Sequence, residues 1–172
     1  MADEFSNQAH VEKVDALFST IAMRYDLVND IQSAGLHRLW KRKMARLVAL
    51  GESEQALDVC CGTGDLIVRL AKRGGRVAGL DMNGAMLNVA RRRLVECNIG
   101  QARLYQADAL QLPFGDGQFD VVTIAYGLRN LADYKIGLQE IFKVLKPGGR
   151  LAILDFGKPP NRFVRGLSLI HI

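Results

Sequence analysis

The stretch ALDVCCGTGDL, residues 56–66 of a 172-residue chain, decides how the remainder is read. Ala56, Leu57, Val59 and Cys60 predict a buried strand, Gly62 and Gly64 a tight turn, and the residues behind them a helix reaching Arg73. Two glycines let the backbone approach a bound molecule closely, and the helix start presents N–H groups that no preceding turn uses. The pattern implies a seat for a nucleotide or nucleoside. Asp58 is out of place in it, because a carboxylate inside an apolar strand costs free energy unless something neutralises it. A cationic group on the ligand would do so.

An apolar content of 49% with 24% charged residues places the chain among ordinary globular domains, with length for one sizeable core. No apolar run reaches the roughly 18 residues of a membrane span, and MADEFSNQ at the start is acidic and polar, unlike a secretory signal. A cytoplasmic location is expected. Three cysteines, two of them adjacent at Cys60 and Cys61, fit neither a disulfide framework nor zinc spacing, so a reducing compartment and no metal are expected. The net charge is +5. Arg38, Lys41, Arg42, Lys43 and Arg46 share a segment with Leu36, Leu39, Trp40, Met44, Leu47 and Val48, which recur at helical spacing. Its basic side is read as a solvated face, or as a contact for acidic lipid head groups or a phosphate.

Ahead of that helix, residues 9–18 predict an amphipathic helix with Val11, Val14, Leu17 and Phe18 on one side. Tyr25, Asp26, Asn29, Asp30, Ser33, Gly35 and His37 then crowd into a polar loop or short helix, the composition of a lid or pocket edge. Gly51 is expected to close the basic helix. Strands follow at 76–81, 102–106, 119–125 and 150–156. Helices are expected at 85–96, with Met86, Leu87, Val89, Ala90 and Leu94 inward, and from about 134 to 145, then a KPGG turn at 146–149. Strands alternating with helices make an α/β, Rossmann-like, mostly parallel sheet with right-handed crossovers. A helical lid occupies 1–50 and the ligand-binding core 51–158. In such sheets ligands sit at the carboxyl ends of the strands. Those ends hold residues 61–64, Asp81 and Met82, Asp108 and Ala109, residues 126–130, and Asp155.

A nicotinamide dinucleotide is the first rival, since Asp81 lies where a ribose-binding acid belongs, 19 residues after Gly62. The glycine fingerprint would need a third glycine at 67, where Ile67 stands. S-adenosylmethionine asks for other services: a partner for a ribose diol, one for an adenine edge and a counter-charge for an ammonium, which Asp81, Asp108 and Asp58 offer. Each acid also has a structural alternative. Asp81 could cap the next helix, Asp108 could bond its own backbone, and Asp58 could hold the turn through N–H groups.

In order, DVCCGTG, GLDMN, QADALQLPF, FDVVTIAYGLRN and LKPGGRLAILDF resemble the class I S-adenosylmethionine-dependent methyltransferases over residues 56–158. FSTIAMRYDLVNDIQSAGLHRLWK and YGLRNLAD resemble a narrower group, the ubiquinone/menaquinone biosynthesis C-methyltransferases, whose pattern is met at Tyr25, Asp26, Asn29, Ser33, His37 and Trp40. Departures are Val28, Gln32, Asp155 and Gly157, with Cys60 for the first glycine of the usual turn and Ala125 for a serine near the cofactor. The resemblance implies S-adenosylmethionine as cofactor, held by Asp58, Gly62, Thr63, Gly64, Asp81, Met82, Asp108 and Ala109. It implies Arg129, Asn130 and Tyr25 at the substrate. There Arg129 would stabilise a ring phenolate or orient a water, and Asn130 and Tyr25 would place the ring oxygens. His37 is a candidate base or a structural helix-start residue, and Arg129 has an alternative as a surface partner of Asp133 or Asp26.

Such a sheet normally continues past its fifth strand. Here the chain ends in RGLSLIHI, residues 165–172, which match nothing of the family. The expectation is a fragment lacking the last two strands, with 159–172 a foreign tail and the fifth strand a sheet edge. The implied partners are a polyprenyl hydroquinone and, at its periphery, an anionic membrane, with a homodimer allowed and no nucleic acid. Base methylation would want an Asn/Asp-Pro-Pro-aromatic run where AYGLRN stands. A non-catalytic cofactor-binding fragment is the remaining alternative.

Overall fold

The computed structural model describes residues 16–155. Most of the predicted first helix, together with the tail at 159–172, therefore lies outside the described residues. The described chain opens with α1 (residues 16–21) and a 3₁₀ turn at Ala22–Arg24. It continues through α2 (Tyr25–Ser33), α3 (Leu36–Leu47), β1 (Gln55–Val59), α4 (Asp65–Ala71), β2 (Arg76–Asp81) and α5 (Gly84–Glu96). The last elements are β3 (Arg103–Gln106), β4 (Phe119–Ala125), α6 (Tyr134–Val144) and β5 (Leu145–Leu154). Strands line up in the order β3-β2-β1-β4-β5, every neighbouring pair parallel. The order reverses at β1, so the crevice between the ends of β1 and β4 is where an α/β sheet leaves room for a ligand.

Strands β1 and β4 are central because both of their faces are apolar. Ala56 and Val121 join Leu66, Ile67 and Leu70 on one face, whereas Leu57, Val59, Val122 and Ile124 join Ile141 and Val144 on the other. Each fully buried Leu, Ile or Val contributes roughly 1.5–3 kcal/mol. The packing is close enough that a Cβ on Gly79 of β2 would stand 2.1 Å from Ile67 Cδ1 of α4. Asn83 caps α5 by accepting the Met86 N–H at 2.8 Å, and Asp133 caps α6 from Lys135 and Ile136.

Three expectations are corrected. The KPGG residues do not form a separate turn but lie within β5, where a step of two residues on β4 is matched by five on β5. The ladder is interrupted there by an irregular bulge; Gly148 supplies its positive φ and Lys146 fastens it to Asp120 at 2.8 Å. Gly51 does not close the basic helix either. The helix ends at Leu47, Ala49 takes the left-handed conformation, and Gly51 donates its N–H to Glu54 at the entry to β1.

The third correction concerns which side of α3 faces in. The buried side carries His37, Lys41, Met44 and Ala45, while Leu36, Leu39, Trp40 and Leu47 stand outward, Leu39 56% and Leu47 72% exposed. Met44 and Val48 are buried and Arg38, Arg42, Lys43 and Arg46 exposed as expected, but polar partners draw Lys41 and His37 inward. Lys41 meets Asp65 at 3.8 Å, and His37 Nδ1 lies 2.9 Å from Ser33 Oγ. The polar run ahead of it is helical through Ser33 and turns at Ala34 and Gly35, both with positive φ.

Among the described residues strand β5 forms one edge of the sheet and β3 the other, with Leu151 and Ile153 of β5 exposed. No described helix is long and apolar enough to cross a membrane.

Candidate functional site

A cleft opens at the switch point. It is lined from β1 by Cys60 and Gly62, from β2 by Asp81, Met82 and Asn83, and from β4 by Ala125, Tyr126 and Gly127. Asn130 and Leu131 follow, α5 contributes Met86, and the N-terminal segment closes it with Phe18 and Tyr25. Its mostly apolar wall with a few fixed polar groups is the lining a nucleoside calls for. A more open hollow beside Arg91, Arg92 and Val95 lies on the outer side of α5, and no strand end contributes to it.

Two non-glycine residues at the strand ends, Cys60 and Tyr126, hold positive φ of 54° and 62°. Such strain persists where the surroundings impose it, and both residues face the cleft. The Tyr126 N–H is held by Leu154 O at 2.7 Å. Asp81 ties the floor together: its carboxylate accepts the Gly62 N–H at 2.8 Å and the Asn83 N–H at 2.9 Å. The helix cap is thus Asn83, and Asp81 braces the glycine turn while facing the cleft. Tyr25 lies over that turn, its Cε1 4.0 Å from where a Cβ on Gly62 would stand.

Of the residues singled out in the sequence, Tyr25, Gly62, Asp81, Met82 and Asn130 come together around the cleft. Asp58 lies beneath it, 2% exposed, its carboxylate accepting the Thr123 hydroxyl at 2.6 Å. Burial pushes its pKa up to about 7, against the pull of Thr123 and Lys41. Thr63 points to the lid instead of the cleft, bonded to Asp26 and Arg93. Gly64 starts α4 with φ +78°, and a Cβ there would press on Ala90 at 3.0 Å.

Asp108 stands outside the cleft and accepts the Leu110 N–H at 2.9 Å, so it is engaged with its own loop, and Ala109 belongs to the core. Arg129 is half exposed and pairs with Asp155 at 2.5 Å, not with Asp133 or Asp26. Its guanidinium stands 5.9 Å from the Tyr126 ring centroid. Burial raises the pKa of Tyr25, and of Tyr126 to about 12, with Arg129 pulling both down. His37 is buried, and burial with the Lys41 charge lowers its pKa.

Phe18, Asn83, Met86 and Leu131 line the cleft without having been singled out for that role. Asn83 and Met86 carried a detectable signal, being the cap and the inward residue of a helix that begins directly behind a strand end. Phe18 and Leu131 carried none, since their place depends on how the N-terminal segment and the loop after β4 fold back.

The family model for the ubiE/COQ5 methyltransferase family matches residues 6–166. The ubiquinone/menaquinone biosynthesis C-methyltransferase UbiE of Azotobacter vinelandii is 47% identical over 153 residues, which cover 87% of this chain and 60% of that protein. UbiE of Saccharophagus degradans is 41% identical over 177 residues, 95% of this chain and 71% of its own length. A solved S-adenosylmethionine-dependent methyltransferase from Aquifex aeolicus superposes with a TM-score of 0.64 at 25% identity, over 71% of this chain and 66% of that one. The chain thus spans about 60% of the Azotobacter protein's length. Matched along nearly all of its residues, with a parallel sheet of class I methyltransferase type, the chain belongs to the ubiE/COQ5 methyltransferase family.

Proposed function

We propose that the cleft binds S-adenosylmethionine and that the protein methylates a ring carbon of a polyprenyl hydroquinone, as in menaquinone or ubiquinone synthesis. The observation that carries the proposal is Asp81. It ends β2 at the switch point, is fixed by the Gly62 and Asn83 N–H groups, and faces the cleft where a ribose diol would meet it. Met82 and Met86 offer soft walls for an adenine ring. Asp108 and Ala109, in the loop after β3, are proposed for the adenine edge. Gly62 keeps the turn open to the ligand, Gly64 begins the helix behind it, and Thr63 serves the lid. A dinucleotide is disfavoured because Ile67, at the place of the third glycine, packs into β2.

The bound cofactor supplies an electrophilic methyl group; the protein must make the ring carbon nucleophilic. A phenol of pKa about 10 ionises sparingly at neutral pH. A guanidinium near the ring oxygen stabilises the phenolate, the more so where bound substrate displaces water from it. Arg129 is assigned that role, oriented by Asp155 and Tyr126, with Asn130 and Tyr25 placing the ring oxygens. A methyl-labelled cofactor incubated with a demethylmenaquinol bearing a short isoprenoid tail tests the proposal. Label is expected in the quinol. Binding of S-adenosylhomocysteine without transfer would leave a cofactor-binding fragment instead.

Asp58 is proposed as the counter-charge for the methionine ammonium, direct or through water. Because burial raises its pKa to about 7, the group is largely protonated at pH 6 and must lose its proton to serve a cation. Affinity therefore rises with pH through that value. Between about pH 6 and 7.5 the dissociation constant for S-adenosylhomocysteine should fall roughly eightfold, by proton linkage. Calorimetry should find protons released at the lower pH, and Asp58→Asn should flatten the profile. A flat wild-type profile would remove Asp58 from the role.

The outward side of α3 sets Leu36, Leu39, Trp40 and Leu47 among Arg42, Lys43 and Arg46. Apolar and basic groups interleaved on one exposed face suit the boundary of an anionic bilayer, from which a long-tailed substrate would come. Each basic residue contributes about 1 kcal/mol there, so three give on the order of a hundredfold. Flotation with phosphatidylglycerol vesicles should exceed that with phosphatidylcholine, and Arg42→Glu with Lys43→Glu should abolish the difference. Equal flotation on both lipids would contradict membrane docking.

A further inference from the structure

Helix α2 is attached by the Tyr25 ring, which packs edge-on to Phe18 and over Gly62, and by polar contacts. None of its described side chains is buried, and Leu27 and Ile31 point to solvent. The polar contacts that hold it to the sheet domain converge on Asp26. Its carboxylate accepts the Thr63 hydroxyl at 3.1 Å and pairs with the Arg93 guanidinium of α5, while Arg93 Nη1 also donates to Thr63 Oγ1 at 3.1 Å. Three elements thus meet in one closed triangle: the lid helix, the glycine turn and the helix behind the turn. Thr63 is 2% exposed, and Arg93 and Asp26 are each about three-quarters covered. Other links of the lid to this region are Asn83 Nδ2 to Ser19 Oγ at 2.7 Å from α1, Arg92 Nη1 to Met23 Sδ at 3.9 Å from the 3₁₀ turn, and Lys41 to Asp65 at 3.8 Å from α3.

We infer that Arg93 is a positioning residue: through Asp26 it latches α2 onto the glycine turn and so sets Tyr25 at the cleft. Asp26 follows Tyr25 directly, and Tyr25 stands over Gly62. Thr63 lies between Gly62, which is held by Asp81, and Gly64, which is packed on Ala90 of α5. A ligand that steadies the turn against Asp81 therefore also steadies the acceptor and donor that the lid uses. Conversely, a closed latch keeps the Tyr25 ring over the turn. Lid closure and occupancy of the cleft favour each other by the same factor, as linkage requires. The ligand half of this coupling presupposes that the cleft takes the proposed cofactor, whereas the latch itself does not.

The test is amide hydrogen exchange on the full chain, with and without S-adenosylhomocysteine, for the wild type, Arg93→Gln, Arg93→Lys, Asp26→Asn and the double variant Arg93→Gln/Asp26→Asn. Without ligand, Arg93→Gln and Asp26→Asn should each speed exchange across α2 by about tenfold, while β1 and β4 remain as protected as in the wild type. The double variant should be little worse than either single one, because members of one network do not add. Arg93→Lys should restore part of the protection, since it keeps the charge but loses the fork. In the wild type the ligand should slow exchange across α2, and in Arg93→Gln that slowing should shrink severalfold together with affinity. Unchanged α2 exchange in both single variants, or strictly additive effects, would overturn the latch. Loss of protection in β1 and β4 as well would make Arg93 a residue of global stability, which also overturns it. If the wild type binds no S-adenosylhomocysteine, the cofactor assignment fails, and the ligand-free exchange still decides the latch.

Discussion

Asp81→Ala is expected to raise the dissociation constant for S-adenosylhomocysteine by a hundredfold or more while leaving a folded chain. A hydrogen bond from a ribose hydroxyl to a carboxylate contributes roughly 1.5–3 kcal/mol, and the diol makes two, so about 3–6 kcal/mol is at stake. The substitution also deprives the Gly62 and Asn83 N–H groups of their acceptor. Both sit at the cleft, where water can replace the carboxylate, so the fold should lose only about 1–3 kcal/mol. The sheet does not depend on Asp81, because β2 is secured by its ladders to β1 and β3 and by Val77 and Leu80 in the core. Asp81→Asn separates the two functions. It retains one carbonyl acceptor for the turn and loses the charge, so its affinity should fall between those of the other two. Thermal unfolding in parallel with calorimetry distinguishes lost binding from lost structure.

Arg129→Ala is expected to reduce methyl transfer by about a hundredfold or more, the scale on which a preorganised donor acts on a developing oxyanion. Cofactor affinity should change by less than about threefold, a residual within ordinary context effects. The separation follows from position. Asp81 belongs to the β1–β2 side of the cleft, whereas Arg129 follows β4 and is turned by Asp155 at the end of β5. The Asp155 pairing also supplies a control. Asp155→Asn removes the charge that orients the guanidinium but leaves the guanidinium itself, so transfer should fall less than in Arg129→Ala. The label-transfer assay with the demethylated quinol reads both. Equal loss of S-adenosylhomocysteine affinity in Asp81→Ala and Arg129→Ala would refute the division of roles.

Much of the architecture was legible because its determinants are local. Alternating β and α periods, two glycines at fixed spacing after an apolar strand, and a strand apolar on both faces lead to one parallel sheet with its switch point at β1. The places that differ are those where a distant partner decides. Lys41 and His37 of α3 turn inward because Asp65, from the helix after the glycine turn, and Ser33, from α2, are there to receive them. Neither is visible in the local period. KPGG reads as a turn by composition, yet the edge position of β5 lets four residues bulge while pairing resumes at Arg150.

The site divides along the same line. Gly62 and Asp81 sit at strand ends and follow from topology alone. Thr63 stands in the same motif, but its hydroxyl answers to Asp26 and Arg93, 37 and 30 residues away. Arg129 found Asp155 rather than the nearer Asp133, because Asp133 is spent capping α6. Asp58 was conspicuous as a buried acid. What the fold adds is its neighbour Thr123, directly across the β1–β4 ladder, and the Lys41 charge from the lid helix.

The central claim is that the switch-point cleft is a seat for S-adenosylmethionine. Calorimetric titration of the 172-residue protein with S-adenosylhomocysteine, with Asp81→Ala alongside, tests it most directly. The account predicts saturable binding at one site per molecule in the wild type and none measurable in the variant. A folded wild-type protein that takes up no ligand, or an Asp81→Ala variant that binds as tightly as the wild type, would contradict it.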